Sequence, residues 1–268
     1  MLCGFGLPGG DAAATHGKGI PMRQTDTALV TGGDLMAAFG LLTRLPVKVQ
    51  MEQAVARGAR AAWAWPLAGA AVALLAGCAG WLAAGFGAAI AAGVMLAVMV
   101  VLTGALHEDG LADFADGIWG GQTPDRRLEI MKDSRIGSYG VIALVFGLGL
   151  KWQALGELNS VAALIAAALL SRAAMAGVMA TLPFARPDGL AASQGRPSRE
   201  TILLGAGIAL CLALVLVGPA ALVAGLAAGV AAAVIGAVAH KKIGGQTGDV
   251  LGAAQFMAEL AALLALLL

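Results

Sequence analysis

Three aspartates fall within eight residues in HEDGLADFADG, residues 107–117, directly after the apolar run VMLAVMVVLTGAL. A carboxylate beside hydrocarbon is costly, so such a cluster marks function by default. Asp109, Asp113 and Asp116 stand at i, i+4 and i+7, the spacing that puts all three on one face of an α-helix. Three like charges on one face repel each other unless a cation sits between them. Hard divalent ions take carboxylate oxygens, and Mg²⁺ commonly combines one or two carboxylates with the phosphate oxygens of a substrate. The plainer reading is a solvated helix end whose acids pair with Arg126 and Arg127. On an unbroken helix His107 points away from the aspartates, which makes it a supporting or a packed side chain.

Further polar segments carry compatible chemistry. In IMKDSRIGSYG, residues 130–140, Lys132 and Arg135 flank Asp133. Phosphate recognition and a basic anchor with a local ion pair fit that spacing equally. In KKIGGQTGDVLGAAQFMAE, residues 241–259, a Gly-Gly-x-Thr-Gly-Asp core offers backbone N–H groups, the Thr247 hydroxyl and the Asp249 carboxylate where a helix begins. Helix N-termini suit anions, and Asp249 could complete a metal site; the alternative is a glycine-rich turn capped by Asp249. No Gly-Lys-Ser/Thr follows, so this is not a Walker A loop. Glu259, ten residues on, needs a partner inside the last span. Arg172 sits mid-span in LLSRAAMAGVM and requires a carboxylate or a substrate phosphate unless it snorkels. Arg44, in LTRLP, can reach the same cleft. Ser-His-Asp, dinucleotide and HExxH patterns are absent. Carboxylates for Mg²⁺ with scattered arginines suit phosphoryl or nucleotidyl-type transfer, in which positioning and charge neutralisation do most of the chemistry.

The elements that must position these groups are membrane helices. Of the 268 residues, 59% are apolar and 12% charged, and the mean hydropathy is +0.85; soluble domains carry about 25% charge. The composition predicts an all-α, polytopic transmembrane helix bundle with about seven spans: 62–82, 85–106, 137–156, 160–182, 201–218, 220–239 and 251–268. The last is the weakest, because the chain stops inside it. Residues 1–33 read as a mobile tail or an overextended start, and 34–268 as the integral membrane catalytic domain. Asp34 is positioned to cap a short interfacial or re-entrant helix, LMAAFGLLTRLPV. Abundant glycine and alanine suit close helix packing. Cys3, Cys78 and Cys211 form no CxxC pair, and a formal charge of +1 gives no hint of nucleic acid. Of the 17 Lys and Arg residues, all but Lys151 and Arg172 precede the first span or follow spans two, four and six. The positive-inside rule makes that side cytoplasmic, with the active-site loops on it. A homo-oligomer is left open.

LTRLPV at 42–47, WPLAG at 65–69, HEDGLADFADG, IMKDSRIGSYGV at 130–141 and GGQTGDVLGA at 244–253 together resemble the cobalamin synthase family. The likeness runs in order from about residue 35 to the C-terminus. The family's members are adenosylcobinamide-GDP ribazoletransferases of late vitamin B12 assembly. The resemblance implies a Mg²⁺-dependent, multi-pass enzyme of the bacterial inner membrane. Such an enzyme transfers the phosphocobinamide group of adenosylcobinamide-GDP to α-ribazole or its 5′-phosphate and releases GMP. The ribose 3′-hydroxyl attacks the phosphorus nearer the corrinoid. His107, Asp109, Asp113 and Asp116 match the first motif, Asp133, Arg135 and Gly137 the second, and Thr247, Asp249 and Gly252 the third. Glu108 stands where many relatives have an apolar residue. In these roles the aspartates, Asp249 included, hold Mg²⁺, while Arg44, Arg135 or Arg172 neutralises the leaving GMP. Asp116 or Asp249 is the candidate for the hydroxyl proton.

Two alternatives remain. A CDP-alcohol phosphotransferase runs similar carboxylate chemistry, but no arginine follows the alanine of Asp109-Gly110 and Ala112-Asp113 here. A cation or corrinoid transporter predicts polar groups at mid-membrane in both halves of the chain, whereas these acids gather on one side.

Overall fold

The structure, a computed structural model, describes residues 28–187 and 189–268. In chain order the helices are α1 (Gly32–Leu42), α2 (Met51–Arg57), α3 (Trp65–Leu82), α4 (Ala88–Thr103), α5 (Leu106–Gly120), α6 (Pro124–Ile130), α7 (Ser138–Leu158), α8 (Val161–Thr181), α9 (Leu190–Gln194), α10 (Arg199–Val217), α11 (Ala220–Ile243) and α12 (Gly248–Ala265). A 3₁₀ run, Gly58–Ala64, joins α2 to α3 without a break. The protein is an all-α polytopic bundle. Among the described residues six helices, counting Met51–Leu82 as one, are long and apolar enough to cross a membrane, and α4 with α5 forms a bent pair that raises the number to seven if it is one span. The 21 residues of α7 and of α8 rise about 31 Å at ~1.5 Å per residue, which matches a hydrocarbon core of about 30 Å.

The second expected span, 85–106, departs from a straight crossing. Helix α4 stops at Thr103 because Gly104 and Ala105 both take left-handed backbone angles (φ 64° and 58°). Left-handed geometry strains a residue with a Cβ, so Ala105 is held there by its surroundings. The chain leaves this corner at 86° to α4. Helix α5 packs against α7 and α12.

Burial ranks the spans. Two thirds of the apolar window of α8 and of α12 is buried, against 22% for α10. Helix α8 is central, packed by α3, α10, α11 and α12. The last span, expected to be weakest, is one of the best packed. Close approach rests on alanine: Ala221, Ala224, Ala228 and Ala232 make one fully buried stripe on α11, which lets backbones approach where larger side chains would hold them apart. Leu222, Val223, Leu226 and Val230 point outward from the same helix, as lipid contact requires.

At the N-terminal end, residues 1–27 of the expected tail lie outside the described residues. Residues 28–33 are tied to the bundle. The Arg57 guanidinium donates to the carbonyls of Ala28 (2.6 Å) and Leu29 (3.2 Å). Asp34 is not the cap of α1, because Thr31 takes that position and Asp34 reaches back to its backbone N–H at 2.9 Å. The buried Asp34 carboxylate also accepts from Arg57 and from the Trp63 indole, pinning α1 to the entry of α3.

Candidate active site

The corner before α5 is built from backbone and Arg44. The Arg44 N–H donates to the Leu102 carbonyl at 2.7 Å, and its side chain lies on Gly104, where a Cβ would come within 2.4 Å of Nε. Past the corner, α5 meets α12 glycine to glycine. A Cβ on Gly110 would lie 2.9 Å from the Gly252 Cα and 3.0 Å from the Asp249 carbonyl oxygen. Only paired glycines allow this approach, and through it motifs about 140 residues apart share one site.

The expected aspartate face divides. Asp109 is exposed and Asp113 half-buried; among the described residues neither has a hydrogen-bond or ion-pair partner. Asp116 is buried, and its two oxygens accept the N–H groups of Gly137 (2.6 Å) and Gly140 (2.9 Å). It ties α5 to the start of α7, which draws it away from the metal and proton roles considered for it. Among the described residues no three His, Cys, Asp or Glu side chains form a ready metal cage. Mutual repulsion is nevertheless plain. Burial, then the charges of Asp109, Asp249 and Asp116, push the Asp113 carboxyl up to about 7.

Asp249, in the first turn of α12, faces this pair from the other motif. Its carboxylate accepts from the Arg186 guanidinium and from the Thr247 hydroxyl, both at 3.1 Å. Thr247 caps α12 by accepting the Val250 N–H, so it sets both the helix start and the Asp249 rotamer. Arg186 arrives by a short pairing of two loops. The Gln246 N–H donates to the Pro183 carbonyl (2.8 Å), and the Ala185 N–H donates to the Gln246 carbonyl (3.0 Å). Gly245 permits it, since a Cβ there would sit 2.2 Å from the Pro183 oxygen. Among the described residues, Nε and Nη1 of Arg186 and the whole side-chain amide of Gln246 are buried without partners. Buried donors left unmade are expensive, and Arg186 lies against Asp249 and within electrostatic reach of Asp113. The set offers hydrogen bonds to an anion and oxygens to a cation, the two halves of a metal-bound pyrophosphate.

Other expected residues lie elsewhere. Arg135 pairs with its neighbour Asp133 at 2.7 Å on the surface, and that contact holds the Asp133 carboxyl down at about 2. The local ion-pair reading accounts for both, and exposed Lys132 lies beside them. Arg172 does not reach the site. It is 1% exposed and bonded to Glu259 at 2.9 Å, the carboxylate alternative rather than a substrate phosphate. Lys151 joins them at 3.5 Å from Glu259, deep between helices instead of at the far membrane surface. Gly69 of WPLAG leaves the room Arg172 needs, because a Cβ there would meet its Cδ at 2.1 Å. His107 lies on the other side of α5, 3% exposed, with both ring nitrogens unpartnered among the described residues.

The cobalamin-5-phosphate synthase family matches residues 34–267. A protein of Bradyrhizobium diazoefficiens named adenosylcobinamide-GDP ribazoletransferase is 40% identical over 251 residues, covering 90% of this chain and 95% of its own. One of the same name from Brucella canis is 41% identical over 254 residues, 88% of this chain and 96% of its own. The chain belongs to the cobalamin-5-phosphate synthase family. No solved structure matches it.

Within this family member the structure gathers Asp109, Asp113, Thr247 and Asp249, with Arg44 at the neighbouring corner. Arg186 and Gln246 were missed as site residues from the sequence. Arg186 counted there only as orientation charge, and Gln246 occupied the variable position of its motif. The one available signal was the Gly244-Gly245 pair, which announces a close backbone approach without naming what approaches.

Proposed function

We propose that this protein is an adenosylcobinamide-GDP ribazoletransferase, moving the phosphocobinamide group onto α-ribazole or its 5′-phosphate with release of GMP. The observation that carries the reading is the meeting of the Asp109 and Asp113 carboxylates, unpartnered among the described residues, with Asp249 and the orphaned donors of Arg186. Asp109 and Asp113 are the residues that would hold Mg²⁺. Two carboxylates completed by phosphate oxygens fit its habits, and relief of the repulsion around Asp113 favours it. When bound, the ion polarises the pyrophosphate and neutralises its charge. Arg186 and Gln246 donate to the phosphate oxygens and orient the donor, and Arg44 adds positive charge from the corner. Asp249 stands at the start of α12, held by Thr247 and Arg186, and takes the proton of the attacking hydroxyl. Of the two carboxylates considered for that role it is the one not committed to capping a helix.

The basic residues support an inner-membrane setting with this end of the bundle in the cytoplasm. The far-end turns around Gly87, Asn159 and Gly218 contain no Lys or Arg. The test is to supply purified protein in detergent with adenosylcobinamide-GDP, α-ribazole and Mg²⁺ and to measure GMP. Release that requires all three is expected. Release from a CDP-alcohol donor instead, or no release, overturns the proposal.

A further inference from the structure

An apolar cleft opens beside the acidic site, enclosing ≈ 490 Å³ of space partly shared with solvent. Trp65, Met175, Met179 and Leu251 are among its walls, and His107 and Gly248 line it as well. Such a wall is unremarkable except for the imidazole. His107 is 3% exposed and, among the described residues, neither ring nitrogen has a partner. The two nitrogens of an imidazole are hydrogen-bonding groups, and leaving both unmade in a buried site is costly. A ligand that is apolar over most of its surface and polar at one ring atom would pair one of these nitrogens and remove part of that cost. Two methionine sulfurs and an indole favour a flat aromatic partner, because thioether and aromatic contacts to a ring are both attractive.

The position narrows the choice further. Gly248 borders the cleft and immediately precedes Asp249 in the chain. A Cβ built on Gly248 meets nothing within 4 Å, so the way past the start of α12 is open. A molecule with its ring in the cleft and a sugar over Gly248 brings a sugar hydroxyl to Asp249.

We propose that this cleft is the base-binding subsite of the nucleoside acceptor, with His107 hydrogen-bonding a ring nitrogen of an aromatic heterocycle and Gly248 leaving the passage for its ribose. The inference rests on the acceptor named in the proposed function, and it assigns His107 to substrate selection rather than to the metal. It also explains why His107 lies on the side of α5 away from the aspartates.

Binding without turnover tests it. Calorimetry of α-ribazole into the purified protein, with no corrinoid donor present, is expected to show saturable binding that ribose 5-phosphate does not reproduce. Gly248→Leu, which projects into open space rather than into packed atoms, and His107→Phe should each weaken binding by about tenfold or more, the loss expected for a blocked contact or a missing hydrogen bond. His107→Gln, which restores a donor and an acceptor, should recover part of it. In turnover, the KM for α-ribazole rises in Gly248→Leu while that for adenosylcobinamide-GDP stays within about twofold, the pattern of a contact made to one substrate only. No binding to the wild type, equal binding by all variants, or a rise confined to the donor KM overturns the assignment. Binding with the expected variant pattern but no GMP release leaves the subsite standing and removes the proposed activity.

Discussion

Glu259→Gln is the sharpest test of how the bundle holds the site. The Glu259 carboxylate accepts from Arg172 at 2.9 Å and lies 3.5 Å from the Lys151 ammonium, with all three side chains 1–2% exposed. Gln255 donates to the same carboxylate and to Ser171. One anion thus offsets two cations contributed by α7 and α8, and it stands on the helix whose first turn carries Asp249. Removing one partner of a buried ion pair costs about 3–5 kcal/mol. Here the upper part of that range applies, because two facing cations are left to repel each other. For a chain of this size about 2–4 °C of melting temperature is lost per kcal/mol, so a fall on the order of 10–20 °C is expected. Lys151→Met behaves differently. It leaves Arg172 and Glu259 as a balanced pair and keeps an unbranched side chain against Phe256, losing chiefly a cation–π contact of 4.4 Å worth about 0.5–2 kcal/mol. Adding Lys151→Met to Glu259→Gln should restore part of the lost stability. The assay is thermal melting of the purified protein in detergent, with GMP release measured well below the transition. If Lys151→Met costs as much as Glu259→Gln, or if Glu259→Gln melts like the wild type, Glu259 is not the neutralising centre and the reasoning fails.

Other outcomes follow from the same geometry. Asp109→Asn and Asp113→Asn should each abolish GMP release yet raise the melting temperature of the metal-free protein. The Asp113 carboxyl is pushed to about 7 by burial and by its acidic neighbours, so either change relieves repulsion; a lower melting temperature would refute that account. Gly245→Ala drives a methyl into the Pro183 carbonyl at 2.2 Å and displaces the loop that carries Arg186. A loss of turnover of about a hundredfold is expected from such a misplacement, and wild-type turnover would show that Arg186 is not needed there. A reporter fused after residue 120 or 190 should be cytoplasmic and one near residue 84 periplasmic. Residue 120 found outside would reverse the whole arrangement.

What was legible in the sequence rested on local rules. Long apolar runs declare membrane helices because hydrocarbon leaves backbone groups only each other to bond with, so the class of fold and most spans follow from composition. Charge asymmetry, three aspartates at helical spacing and a Gly-Gly-x-Thr-Gly-Asp turn pointed to phosphoryl chemistry for similarly local reasons. Tertiary structure decided the rest, because the deciding contacts join residues far apart in the chain. A sequence does not disclose that Gly104 and Ala105 turn the second span by 86°, since Ala105 adopts its angle only under the constraint of its neighbours. Three aspartates at i, i+4 and i+7 look equivalent until α7 arrives and claims Asp116 with two N–H groups. A lone Arg172 inside a span looks like a phosphate ligand until α12 places Glu259 against it. Arg186 resembles any interfacial arginine until the Gly110–Gly252 approach and the Pro183–Gln246 pairing bring it to Asp249. Helical periodicity determines which way a side chain faces on its own helix; only packing determines what it meets there.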